Sequence, residues 1–94
     1  MKIMVNKSYQ KGYRFQQRVK NYLERIGYFV MISPKSRFPD GVAVRNNNAF
    51  LFECKINKYL TKEEKRKVEW LRMFYNIPFI VFYRDGRKLR WYWK

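Results

Sequence analysis

The apolar positions of this 94-residue chain change period several times, and each change marks an element. Phe15, Val19, Tyr22, Leu23 and Ile26 fall at offsets 0, 4, 7, 8 and 11, one face of a helix predicted from about Ser8 to Ile26. Ser8 is placed to cap that helix and Gly27 to stop it, while Arg14, Arg18, Lys20 and Arg25 form its exposed face. Tyr28 to Ile32 is aromatic and β-branched and predicts a strand, followed by a basic loop from Ser33 to Phe38. Asp40–Arg45 and Ala49–Ile56 read as two strands joined at Asn46, Asn47 and Asn48, because asparagine tolerates the positive φ of a tight hairpin.

A second helix is predicted over Lys62–Tyr75. Thr61 and Glu64 have the spacing of a capping box, Val68, Leu71 and Tyr75 supply the apolar stripe, and Asn76 with Pro78 ends the helix. Phe79–Tyr83 and Leu89–Trp93 then form a hairpin turning at Asp85-Gly86. The order α-β-β-β-α-β-β, with no internal repeat and no linker, predicts one α+β domain over residues 1–94. Its central sheet is mostly antiparallel and is flanked by the two helices.

Composition adds a partner. The chain carries 22 Lys/Arg against 7 Asp/Glu, a formal charge of +15, and it is rich in aromatics, with eight Phe, eight Tyr and three Trp. That apolar content argues against intrinsic disorder, and the charge calls for a polyanion, nucleic acid before a membrane surface. The longest uncharged run, Met73 to Tyr83, is interrupted by Pro78 and too short to span a bilayer. Lys2, Lys7 and Lys11 break up the N-terminal region, so no signal peptide is expected there. The single cysteine, Cys54, suits a reducing cytoplasm.

The absence of histidine narrows the chemistry. It removes imidazole bases, Ser-His and Cys-His pairs and, with one cysteine, a structural zinc site. Catalysis would rest on carboxylates, lysine and a hard cation. Of the acids, Glu24 falls on the first helix, Glu63, Glu64 and Glu69 on the second, and Asp85 in a turn; Asp40 and Glu53 remain. Strand alternation puts Phe50, Phe52, Cys54 and Ile56 on one face and Leu51, Glu53 and Lys55 on the other. A two-residue turn at Asn46-Asn47 pairs Arg45 with Asn48 and, counted outward, Asp40 with Glu53, with Cβ atoms about 5 Å apart. A bulge would displace that pairing by one residue. Two carboxylates beside an amine suit Mg²⁺ or Mn²⁺ and metal-assisted hydrolysis of a phosphodiester, whereas the bland reading of the same trio is surface decoration on a strand.

Pro39-Asp40 followed by Glu53-Cys54-Lys55 resembles the PD-(D/E)XK nuclease signature, and the element order resembles that superfamily's α/β restriction-endonuclease-like core. The chain is most similar to archaeal-type Holliday junction resolvases and their small relatives, which also occur in viruses. Lys11-Gly12-Tyr13-Arg14-Phe15, Gly27-Tyr28-Phe29-Val30, Leu60-Thr61-Lys62-Glu63-Glu64 and Ile77-Pro78-Phe79 carry that similarity across nearly the whole chain. The resemblance implies an Mg²⁺- or Mn²⁺-dependent endodeoxyribonuclease that resolves branched DNA in recombination and acts as a homodimer. It implies Asp40, Glu53 and the Cys54 backbone carbonyl as metal ligands, Lys55 as catalytic lysine, and Ser33 or Ser36 as the loop serine. It also places Gln16 where the family commonly has a glutamate. Gln16 offers oxygen without charge, and Glu24, eight residues on, lies about 80° around the helix.

Lys7, Lys11, Arg14, Arg18, Lys35 and Arg37 are candidates to grip phosphates, with Lys58 and Lys62 extending the contact, and Lys65, Arg66 and Lys67 read as a solvated face. Tyr9, Tyr13 and Phe38 are candidates for stacking, while Phe15, Tyr22, Phe50, Phe52, Phe74 and Phe79 read as core. Trp70, Met73 and Trp91-Tyr92-Trp93 either form a dimer surface or close a small core. Two other functions remain beside the nuclease: a DNA-binding module of the same fold impaired in cleavage by Gln16, and a basic RNA-binding or structural protein.

Overall fold

The computed structural model describes residues 7–94, with side chains from Gln10 onward apart from Ser36. The expectations for the side chains of Lys7, Ser8, Tyr9 and Ser36 lie outside the described residues. Helix α1 spans Lys7–Arg25, β1 Phe29–Ile32, β2 Gly41–Arg45, β3 Asn48–Lys55, α2 Lys62–Tyr75, β4 Phe79–Asp85 and β5 Lys88–Trp93. A single 3-10 turn, Pro34–Ser36, sits between β1 and β2. The five strands form one sheet in chain order, antiparallel except where α2 carries the chain from β3 to a parallel β4.

The helices cover opposite faces of this sheet. Phe15, Val19 and Leu23 of α1 pack with Val30, Ala43, Phe50, Phe52, Ile80 and Phe82 in one buried layer. Val68 of α2 packs with Leu60, Phe79 and Val81 in the other. Strand β3 sends alternate residues to the two layers, and β4 is buried on both faces at Phe79, Ile80, Val81 and Phe82, the mark of a central strand. The face holding Leu51, Glu53 and Lys55 is therefore covered by a helix and is not open surface.

Local chemistry explains the boundaries. Gly27 ends α1 with φ +95, Asn46 makes the β2–β3 turn with φ +54, and Asn76 closes α2 with φ +50. The Thr61–Glu64 capping box is complete in both directions. Several expectations are corrected. Because α1 begins at Lys7, Ser8 lies inside the helix and does not cap it. The second hairpin pairs Asp85 with Lys88, so its turn is Gly86-Arg87. Ile26 (40% exposed), Phe74 (63%) and Tyr75 stand in solvent, because each helix faces the sheet with a narrower stripe than its apolar residues mark out. Phe38 is not free to stack on a base; its ring stacks on Phe79 at 5.6 Å in the α2 layer.

Trp91 and Trp93 pack on Tyr22, Phe82 and Phe50 with centroids 5.9–6.3 Å apart, and 48% of Trp91 and 64% of Trp93 remain exposed. Trp70 and Met73 are exposed on α2.

Gly41 fixes the entry to β2. A Cβ there would meet the Met31 carbonyl oxygen and come within 2.7 Å of Phe52 Cζ, so no side chain fits without moving backbone. Gly41→Ala is expected to cost roughly 2 kcal/mol and lower the melting temperature by about 10 °C. Thermal unfolding followed by circular dichroism checks this; an unchanged midpoint would mean that β1 and β3 can separate at this point.

Candidate active site

The β2–β3 register holds as far as the site. Gly41 pairs with Phe52, and one step outward Asp40 stands beside Glu53 with no bulge between. The two acids are tied reciprocally to backbone. The Asp40 amide donates to Glu53 Oε1 at 3.0 Å, and the Cys54 amide donates to Asp40 Oδ2 at 2.7 Å. Each carboxylate thus fastens the other's strand and keeps one oxygen, Asp40 Oδ1 or Glu53 Oε2, outside the clasp.

Lys55 projects from the same face of β3. Its Nζ lies 3.8 Å from Glu53 Oε2 and 2.7 Å from Glu64 Oε2 on the first turn of α2. Glu64 also accepts the Thr61 amide through Oε1 at 2.8 Å. This second role of Glu64 was not read from the sequence. The capping box located its carboxylate on the helix, but no periodicity connects a strand residue to a helix residue across the intervening loop.

Burial sets the electrostatics. Glu53 is only 7% exposed, and burial followed by the neighbouring Asp40 charge pushes its carboxyl up to about 9. Burial raises Asp40 as well, against the Cys54 amide, which favours its charged form. Burial also opposes ionisation of Glu64, but hydrogen bonds from Lys55 and the Thr61 amide together outweigh it and leave that carboxyl below its ordinary value. Burial and the two adjacent acids push the Cys54 thiol well up, so this cysteine is a packing residue and not a thiolate nucleophile.

A buried and a half-buried carboxylate side by side cannot both be anionic without a counter-charge. A proton on Glu53 is one solution and a divalent cation is the other. The donor set is all oxygen, which fits Mg²⁺ or Mn²⁺ and not a soft metal. Among the described residues no cluster of three or more His, Cys, Asp or Glu forms a larger metal cage.

The remaining candidates divide by place. Ser33 is at the site: its hydroxyl donates to the Pro39 carbonyl and its amide to the Asp40 carbonyl at 2.8 Å, closing the base of the 34–39 loop. Lys35, with φ +56, and Arg37 are exposed on that loop. Gln16 is half-buried on α1, and no described hydrogen bond joins it to Asp40, Glu53 or Lys55. Lys11, Arg14 and Arg18 are exposed on α1, in the layer opposite Glu53. Arg14 and Arg18 line a separate open groove with Tyr13, Asn21, Arg25 and Leu89. Lys58 is exposed with its ammonium 5.4 Å from the Tyr83 ring centroid, and Lys62 is exposed at the start of α2.

A mixed sheet between two helices, with Pro39-Asp40 on one strand end and Glu53-Cys54-Lys55 on the next strand, is the arrangement of a PD-(D/E)XK nuclease. Within that class, residues 7–93 match the family model of the archaeal Holliday junction resolvases (Hjc), and the chain belongs to that family. It is 30% identical over 86 residues to a Methanocaldococcus jannaschii protein named crossover junction endodeoxyribonuclease Hjc, covering 86% of this chain and 65% of that one. It thus spans just under two thirds of the length of that relative. The solved structure of Archaeoglobus fulgidus Hjc, described as a Holliday junction resolvase, shares the fold with a TM-score of 0.73 at 21% identity, over 87% of this chain and 71% of that one.

The raised Glu53 carboxyl predicts how stability responds to pH without metal. A carboxyl whose folded value is about 9 against an ordinary 4.5 stabilises the fold fully below the lower value and loses that contribution as pH rises through the upper one. In a chelator, the melting temperature should fall from about pH 5 to about pH 9. Glu53→Gln keeps an acceptor for the Asp40 amide and should flatten that fall. Identical wild-type and variant profiles would show that Glu53 is not perturbed.

Proposed function

We propose that this chain is an Mg²⁺- or Mn²⁺-dependent endodeoxyribonuclease that cuts branched DNA, a Holliday junction resolvase. The observation that carries the reading is the reciprocal Asp40–Glu53 clasp with the Lys55 ammonium beside it. Family membership and the name of the Methanocaldococcus jannaschii relative support the substrate.

Asp40 and Glu53 would hold the cation, with the Cys54 backbone carbonyl as a third oxygen. A bound divalent ion supplies Lewis-acid stabilisation and a lowered pKa for water. The chain's own residues do the rest. Lys55 donates to the attacking water or to a phosphate oxygen as charge builds there. Ser33 closes the base of the loop leading into Asp40, and Ser36 would offer a hydroxyl to the phosphate. Gln16 would add a neutral oxygen from α1. Lys35, Arg37, Lys58 and Lys62 would hold phosphates around the cut, and Lys7, Lys11, Arg14 and Arg18 an arm of the junction passing over α1. Among the described residues neither helix is a free recognition helix, so shape and not sequence would select the substrate. Cutting two symmetry-related strands calls for a homodimer, for which exposed Trp70, Met73, Trp91 and Trp93 supply apolar surface. No described helix is long and apolar enough to cross a membrane, and a DNA substrate suits an intracellular setting.

Cleavage of a labelled four-way junction in Mg²⁺ or Mn²⁺, with linear duplex as control, tests the proposal. Asp40→Asn, Glu53→Gln and Lys55→Ala should each lose at least about 100-fold in single-turnover rate while still binding the junction. Full activity in Asp40→Asn overturns it. The neutral Gln16 favours a second reading, a junction-binding module that does not cut. Metal-independent binding without cleavage, with cutting gained in Gln16→Glu, would select that one; tighter binding to RNA than to branched DNA would exclude both.

A further inference from the structure

We infer that Glu64 is a positioning residue for Lys55, so that the first turn of α2 sets the place of the lysine in the nuclease site. The inference deepens the proposed function and rests on it for the role of Lys55. The closest partner of the Lys55 ammonium is not the site acid Glu53, at 3.8 Å, but Glu64, at 2.7 Å. Lysine is a point charge on a flexible four-carbon stem, and left alone beside a buried carboxylate it would close onto that carboxylate. An ammonium closed on Glu53 would occupy the oxygen that a cation needs. Glu64 holds it back, near enough to act at the site without capping Glu53.

Glu64 is built for this. Its Oε1 accepts the Thr61 backbone amide at 2.8 Å, which fixes the side chain and leaves Oε2 aimed at the lysine, while its own amide donates to Thr61 Oγ1 at 3.1 Å and caps the helix. Both side chains are largely covered, Lys55 at 21% and Glu64 at 17% exposure, so water screens the pair less than it would a surface pair. By contrast Glu63, next in sequence, is 80% exposed at its side chain and pairs only with Lys67 at 3.6 Å.

Glu64→Gln separates positioning from folding, because the amide oxygen still accepts the Thr61 amide. Thr61→Ala is the complementary control, losing the hydroxyl cap and keeping the Glu64–Lys55 pair. Melting temperature should drop in Thr61→Ala and stay near wild type in Glu64→Gln. Single-turnover cleavage of the four-way junction in Mn²⁺ should fall about tenfold in Glu64→Gln, with junction affinity unchanged, and stay at the wild-type rate in Thr61→Ala. A readout free of metal and DNA is the side-chain ammonium signal of Lys55 in ¹⁵N-lysine protein: held and visible in wild type and Thr61→Ala, exchanged away in Glu64→Gln. Wild-type cleavage in Glu64→Gln, equal rate losses in both variants, or an ammonium signal unchanged by Glu64→Gln each overturn the inference. If Lys55→Ala has lost cleavage and Glu64→Gln has not, the inference alone fails. If Lys55→Ala cleaves fully, the assigned role of the lysine fails and the inference with it.

Discussion

Two backbone amides and two carboxylates, exchanged across the open end of the β2–β3 hairpin, hold the site in register. Without the bond from the Asp40 amide to Glu53 and from the Cys54 amide to Asp40, the chain would leave the β3 side of the ladder at Gly41, and Pro39-Asp40 would be held only on the β1 side, through Ser33. With them, the acid of one strand is fixed by the backbone of the other. The arrangement needs a residue without a side chain at position 41, because β1 and the Phe52 ring close in from either side. It also needs the base of the preceding loop closed, which the Ser33 bonds to Pro39 and Asp40 provide.

The clasp places Glu53 in a covered layer, and that has a consequence for charge. On an open sheet face, paired carboxylates would be hydrated and unremarkable in their titration. Here α2 lies over the same face, Val81 of the neighbouring strand is fully buried opposite Glu53, and the acid holds its proton far above the ordinary range. A site with that preference takes a counter-charge readily, a proton or a hard cation. The covering helix therefore creates the demand for positive charge and, through Glu64, limits how much of it Lys55 can satisfy alone.

Much of this could be read along the chain. Asn46-Asn47 fixed the hairpin turn, and counting outward from Arg45 and Asn48 brought Asp40 opposite Glu53 because no bulge intervened. The Thr61–Glu64 box and Asn76 set both ends of α2 through local backbone chemistry. What was not legible depends on layers. Alternation along β3 separates two faces but does not say that both are covered; that follows from the parallel crossover that carries α2 over the face of Glu53. The same ignorance of depth misplaced Phe74 and Phe38, one an apolar helix residue left in solvent, the other a loop aromatic drawn into the core. The Lys55–Glu64 pair joins a strand to a helix, and periodicity within either element cannot show it.

The charge of the chain acquires a different meaning at this scale. Of its seven acids, Asp85 pairs with Arg90 at 2.9 Å and Glu63 with Lys67 at the surface, Glu53 and Glu64 both reach the ammonium of Lys55, and Asp40 is clasped beside them on the Cys54 amide. On the proposed reading, a DNA strand that comes within a screening length of about 8 Å at physiological salt would meet the net charge of +15 and be drawn in. At contact, a phosphate would meet Asp40 and Glu64 against the one ammonium of Lys55, with Glu53 holding its proton, an arrangement that does not attract it. A divalent cation held by Asp40 and Glu53 would reverse that local sign while leaving the wider attraction untouched. Under the proposed nuclease reading, the basic surface would gather DNA regardless of metal, and cutting would be confined to the few ångströms around the clasp.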